Sequence, residues 1–171
     1  MKIRIKIRTT DPSIFPMFTK KGDWIDLESA ETVSFLDPHN SYNTRITKFD
    51  SKKISLGIAM QLPYGFEAII APRSSLFNKK GLILVNSIGI IDSSYNGDND
   101  IWGATFLATK AATISKNERI VQFRIQPSQF APWWVKLKWF FTSKIVFKKV
   151  EYLENPDRGG WGSSGGYKNN N

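Results

Sequence analysis

The stretch GIIDSSYNG, residues 89–97, sets one carboxylate, Asp92, and one phenol, Tyr95, between two glycines just after an apolar run. Water is a poor nucleophile, and a carboxylate within hydrogen-bond reach can orient it and take its proton. An aspartate ionises near about 3.9, so Asp92 is able to accept at neutral pH. Three other segments carry donors suited to phosphate. APRSSLFNKKG places Arg73, Ser74 and Ser75 at the end of an apolar strand, where they suit the oxygens of a di- or triphosphate. The same residues read equally as a helix start capped by Ser74 or Ser75. NERIVQF offers Arg119 and Gln122, although Glu118 and Arg119 also read as a surface ion pair. RGGWGSSGG offers Arg158 as a phosphate fork, Trp161 as a face for a base, Gly162 for close backbone approach, and the hydroxyls of Ser163 and Ser164. A flexible linker is the plain alternative for that segment.

Composition limits what else is available. The chain has 171 residues, enough for one domain that buries roughly 70 % of its unfolded surface. With no cysteine, disulfides, thiolate metal sites and cysteine nucleophiles are excluded. The single histidine, His39, lies in the polar run DPHNSYN, which argues against a histidine metal cluster or a serine–histidine relay. Chemistry is left to carboxylates, hydroxyls, amides, arginines and an oxygen-bound ion such as Mg²⁺. The net charge of +9 favours polyanionic partners, nucleotides and nucleic acids among them. No apolar stretch approaches the roughly 20 residues of a membrane span, and MKIRIKIRTT is no signal peptide, so the expected location is cytoplasmic or nuclear.

The elements that must position these groups read as strands. KIRIKIR alternates Ile3, Ile5 and Ile7 with charged residues, a half-buried strand with a basic outer face. KISLGIAMQL, FEAIIAP, GLILVNSIGII, GATFLATKAATI and RIVQFRIQ follow, separated by PYG, NKKG, SSYNGDND and ISKNE. Many short strands at close spacing predict an all-β sandwich or barrel, with one helical turn in SSLFNKKG. The aromatic, basic segment 130–150 reads as a further strand or hairpin, or as a nucleic-acid or membrane-surface patch. The expected organisation is a β domain over residues 1–156 and a flexible Gly/Ser-rich tail over 157–171.

Taken together the segments resemble the five motifs, in order, of the trimeric deoxyuridine triphosphatases (dUTPases). They are WIDLESA with Asp26, APRSSL, NSIGIIDSSYNG with Asn86, NERIVQ with Gln122, and RGGWGSSGG. The resemblance spans about residues 22 to 166 and implies a jelly-roll-like fold, a homotrimer with shared active sites, and hydrolysis of dUTP to dUMP and pyrophosphate. It makes Asp92 the general base, with Mg²⁺ held by the triphosphate and Asp26 either near the ion's water shell or bracing the site. Arg73, Ser74, Ser75 and Gln122 would hold phosphates. Tyr95 would lie against the deoxyribose, and Asn86 with the peptides of Gly89, Ile90 and Ile91 would read uracil. The glycines at 89 and 97 would let the hairpin bend around the nucleoside. The fifth motif, with Arg158, Trp161, Gly162, Ser163 and Ser164, would close over the substrate from another subunit.

The chain departs from that pattern in places. Ser94 stands where a second acid is usual, and only Gly159 and Gly160 separate Arg158 from Trp161, which puts a γ-phosphate contact by Arg158 in question. The turn NGDNDIWG is longer than usual. Two rivals share the scaffold. A dCTP deaminase needs a glutamate on the strand after the third motif, and IWGATFLATK has no acid. A binding or regulatory protein would use the basic, aromatic segment to hold nucleic acid or a protein. Were the source viral, the host cytoplasm or nucleus would be the expected compartment.

Overall fold

A computed structural model of the chain describes residues 2–18, 22–38, 49–142 and 144–159. His39, Trp161, Gly162, Ser163 and Ser164 lie outside the described residues. The strands β1 (Lys2–Thr9), β2 (Met17–Phe18), β3 (Ile25–Glu28) and β4 (Val33–Phe35) come first. Next are β5 (Ser51–Ser55), β6 (Ile58–Gln61), β7 (Phe66–Pro72) and the short helix α1 (Leu76–Lys80). β8 (Leu82–Leu84), β9 (Gly89–Asp92), β10 (Gly103–Ala108), β11 (Ala112–Ile114) and β12 (Arg119–Pro127) follow. Helix α2 (Trp133–Phe140) and β13 (Lys144–Lys149) complete the order. The architecture is all-β, as the strand pattern predicts.

The strands form four sheets among the described residues: β13-β1-β6, β5-β10-β8, β11-β4, and the five-stranded β2-β3-β12-β7-β9. Alternation decides which face of β1 is buried: Ile3, Ile5 and Ile7 are enclosed while Lys2, Arg4 and Lys6 face out. Phe123 of β12 meets Trp102 edge to face at 5.3 Å and Phe147 of β13 at 6.2 Å, so the five-stranded sheet packs on the β1 sheet through aromatic rings.

The run KISLGIAMQL splits into two strands of different sheets. Gly57 turns the corner between β5 and β6 at φ +64°, where a Cβ would lie 2.9 Å from Ala30 Cβ and Ile14 Cδ1. Only glycine fits both the conformation and the space.

Segment 130–150 corrects the expectation of a strand or hairpin, because its first half is helical. Ala131 and Val135 are buried, and Trp139 packs edge to face on Phe66 at 5.8 Å. Phe130, Trp133 and Phe140 point outward, 76 to 90 % exposed. With both faces aromatic, no apolar period of 3.6 stands out in the sequence. The second half is the expected strand, β13, parallel to β1 with Lys2 opposite Lys144 and Lys6 opposite Lys148. No helix among the described residues is long and apolar enough to cross a membrane.

Candidate active site

β3 and β12 are antiparallel neighbours with Asp26 opposite Gln122, and β7 flanks β12 on the other side. This brings the first, second and fourth motifs together. Asp26 is buried, and its two oxygens face two guanidinium groups: Arg73 Nε at 3.3 Å from Oδ1 and Arg119 Nη1 at 3.1 Å from Oδ2. A buried carboxylate is tolerated when it is paired in this way. Arg119 is thus a brace of Asp26, while Glu118, its neighbour in sequence, pairs with Lys80 at 3.2 Å. Gln122 Nε2 donates to the Pro72 carbonyl at 3.3 Å, tying the fourth motif to the strand that ends in Arg73.

Ser74 and Ser75 precede α1. Ser75 occupies the cap position without a side-chain bond, so the capping alternative is not realised. Neither serine hydroxyl has a hydrogen-bond partner among the described residues. With the outer nitrogens of Arg73, they form a set of donors turned away from the protein's own bonds.

The third motif lies elsewhere. β9 is the edge of the five-stranded sheet and, among the described residues, pairs only with β7, so alternate N–H and C=O groups along residues 89–92 face outward. Asn86 is exposed in the turn before it, where Ser87 takes a left-handed φ of 59°. Ile90 is 63 % exposed and Ile91 is buried.

The bend expected at Gly89 and Gly97 has a different origin. Neither glycine is among the positive-φ residues, and Gly89 sits in regular strand. Gly97 is needed for space, because a Cβ there would lie 2.5 Å from Asp157 Cα.

Asp92 ends β9 with its side chain half exposed. The Ser94 hydroxyl and backbone N–H both donate to its Oδ1, at 2.5 and 2.8 Å, and Arg158 Nη1 donates to Oδ2 at 2.5 Å. Burial alone would raise this carboxyl, but the Ser94 bonds and the Arg158 charge outweigh it and hold Asp92 below the usual aspartate range. Ser94, standing where a second acid is usual, therefore pins the first. Tyr95 packs against the core, its N–H donating to Asp92 O and its hydroxyl to Ile101 O, both at 3.2 Å.

Arg158, the first described residue of the fifth motif, reaches Asp92 of its own chain. Asp100 and Asn99, which sequence reasoning missed, hold the backbone and side chains that lead to it.

Asp92 lies opposite Glu67, near the start of β7, whereas Arg73 follows the last residue of that strand. Six residues of extended chain separate the two levels by about 20 Å. Motif order and this constellation of side chains point to one family, and a family model for dUTPase matches residues 24–130.

The chain belongs to the dUTPase family.

It is 40 % identical over 166 residues to the SPbeta prophage-derived deoxyuridine 5'-triphosphate nucleotidohydrolase YosS of Bacillus subtilis, covering 96 % of this chain and 99 % of that one. A deoxyuridine 5'-triphosphate nucleotidohydrolase of Hydrogenobaculum is 32 % identical, covering 96 % of this chain and 99 % of the relative. Among solved structures, the dUTPase of Streptococcus mutans matches with a TM-score of 0.60 at 25 % identity, over 72 % of this chain and 93 % of that one. An aspartate-to-asparagine variant of the dUTPase from Staphylococcus aureus phage phi11, described with a structural Mg(II) ion, matches with a TM-score of 0.60 at 19 % identity, over 75 % of this chain and 93 % of that one. These dUTPases share the jelly-roll-like all-β fold of this chain.

Proposed function

We propose that this dUTPase-family enzyme hydrolyses dUTP to dUMP and pyrophosphate with Asp92 as general base, in sites assembled from two copies of the chain. The carrying observation is the separation of Asp92 from Arg73 along β7. Roughly 20 Å is too far for one water-activating carboxylate and one set of phosphate donors to act on the same phosphorus. A homo-oligomer, the trimer expected for the family, removes the conflict by setting the third motif of one copy against the second and fourth motifs of another.

In this reading Asp92 takes the proton of the water that attacks the α-phosphorus, and pyrophosphate departs in line. Its lowered pKa keeps it ionised, at the cost of some basicity. Arg73 is aimed by Asp26, and with Ser74 and Ser75 it meets the charge that grows on the leaving phosphates. Gln122 fixes the strand end that carries them and retains a second amide hydrogen for an oxygen of the chain. Tyr95, fixed at its hydroxyl, would lie against the deoxyribose and exclude a 2′-hydroxyl. The outward peptides of β9 with Asn86 match the acceptor–donor–acceptor edge of uracil; a mismatched base leaves buried groups unpaired, at about 1–3 kcal/mol each.

The donor set fits an ion that arrives on the nucleotide. Both oxygens of Asp26 are taken by guanidinium groups, and no three metal-ligating side chains cluster among the described residues. Mg²⁺ on the phosphate oxygens would withdraw their charge, with Asp26 no closer than its water shell.

The test is pyrophosphate release from dUTP, dCTP, dTTP and UTP with Mg²⁺, on wild type and Asp92→Asn. The expected result is turnover of dUTP far above the others and a loss of about 10²–10⁴ in the variant. Equal turnover of dCTP, ammonia release, or an active Asp92→Asn enzyme overturns the reading.

A second activity is supported by the outer face of β1 and β13. Lys2, Arg4, Lys6, Lys144 and Lys148 line it, have no ion-pair partner among the described residues, and put two like-charge pairs directly opposite one another. Such pairs destabilise a sheet until an anion lies across them. Retention on single-stranded DNA that falls steeply with salt would support nucleic-acid binding there, and salt-independent elution would remove it.

A further inference from the structure

The loop Asn96–Asp100 and the chain segment Leu153–Arg158 are bound to each other at nearly every residue. Asn155 Nδ2 donates to the Asn96 carbonyl at 3.3 Å, and the Leu153 N–H donates to Asp98 Oδ1 at 2.7 Å. Asn99 donates twice to Asp157, from its backbone N–H to Oδ1 at 2.8 Å and from Nδ2 to Oδ2 at 2.7 Å. Gly97 lies under Asp157 so closely that a Cβ would meet the Asp157 N at 2.8 Å.

Asp100 completes the set. It is 2 % exposed, and its Oδ2 accepts the Gly97 N–H at 2.8 Å and the Arg158 N–H at 3.0 Å. A carboxylate this buried is costly unless its oxygens are filled. Without Arg158 in place, half of that filling is gone. Downstream of this anchor the Arg158 guanidinium lands on Asp92 Oδ2.

We propose that the 96–100 loop is a clamp for the root of the C-terminal tail, with Asp100 as the positioning residue that delivers Arg158 to the Asp92 carboxylate. The proposal rests on the reading of Asp92 as base. The Arg158 guanidinium pairs with that base. An incoming triphosphate offers the guanidinium a stronger, multiply charged partner, and the side chain can exchange Asp92 for phosphate while its backbone stays on Asp100.

The test is a double-mutant cycle on the full-length enzyme, with amide hydrogen exchange as a second readout. Asp100→Ala should speed exchange at Gly97 and Arg158 while leaving β1 and β12 protected, and should lower kcat/KM for dUTP by about tenfold or more, in line with loss of a charge-assisted bond. In the Arg158→Ala background the same Asp100→Ala change should cost nothing further, because its effect passes through Arg158. Exchanging the partners, Asn99→Asp with Asp157→Asn, should restore what Asn99→Asp alone removes. Unchanged exchange at Arg158, or full additivity of Asp100→Ala and Arg158→Ala, overturns the clamp. The exchange measurement does not depend on catalysis, so an active Asp92→Asn enzyme with a protected Arg158 amide would refute the base and leave the clamp standing.

Discussion

Replacing Asp26 with asparagine tests how the phosphate donors are aimed. The side chain is buried and keeps its size on substitution, so no cavity forms, and the change is confined to charge and hydrogen bonding. It receives Arg73 Nε at 3.3 Å and Arg119 Nη1 at 3.1 Å. A hydrogen bond to a charged group contributes about 1.5–3 kcal/mol net, and an asparagine oxygen keeps a weakened version of only one. Breaking a fully buried ion pair costs about 3–5 kcal/mol, but both arginines are about a third exposed and regain water when released. The expected loss is therefore about 2 kcal/mol. For a chain of this size that lowers the unfolding midpoint by roughly 4–8 °C. Circular dichroism at one fixed protein concentration measures it, since oligomerisation makes the midpoint concentration-dependent. Arg73, no longer held, should raise KM for dUTP about tenfold, as a phosphate donor without fixed direction loses part of its binding. A midpoint within about 1 °C of wild type, far below the 2–4 °C per kcal/mol expected, together with an unchanged KM, would refute the bracing role.

Other consequences are simpler to state. Ser94→Ala removes the hydroxyl bond, one of the contacts that hold the Asp92 pKa low, so the acid limb of kcat/KM should move to higher pH; a limb that stays in place or moves lower contradicts the assignment. The same depression means that the stability Asp92 contributes is present above its unfolded pKa and is lost as pH falls through the lower folded value, and Ser94→Ala should shrink that acid-side loss. Lys148→Glu puts an opposite charge across from Lys6 and should stabilise the fold by about 0.2–1 kcal/mol at low salt, read by urea unfolding, with the gain fading at high salt.

Much of the fold was legible because alternation in β1 and apolar runs in β7, β10 and β12 follow the two-residue period of a sheet. What failed did so for identifiable reasons. KISLGIAMQL reads as one strand, since a corner at Gly57 depends on Ala30 and Ile14, which no local pattern reveals. Helix α2 is built from tryptophan, valine and phenylalanine, residues at home in strands, and three of its four aromatic rings are exposed while only Trp139 packs inward.

At the site, residue types and motif order identified the participants but not their neighbours. Arg119 sits beside Glu118 in sequence yet bonds Asp26 across the sheet. Asp100 gave no chemical signal because its partners are Gly97 and a backbone N–H 58 positions away. The unusual length of NGDNDIWG was visible, and the tail segment it holds gives that length a purpose. Nor does the sequence disclose that Asp92 and Arg73, 19 positions apart, lie beside opposite ends of β7, because α1 and β8 intervene before the chain returns antiparallel as β9.

Subunit complementation tests the two-copy site most directly. Asp92→Asn and Arg73→Ala enzymes, each expected to be nearly inactive on dUTP alone, are unfolded together, refolded as a mixture and assayed for pyrophosphate. Sites built from two copies predict recovery of about a quarter of wild-type activity, the fraction of random pairings that join an intact Asp92 to an intact Arg73. No recovery from correctly folded mixed oligomers would contradict the account, because it would mean that both groups act within a single chain.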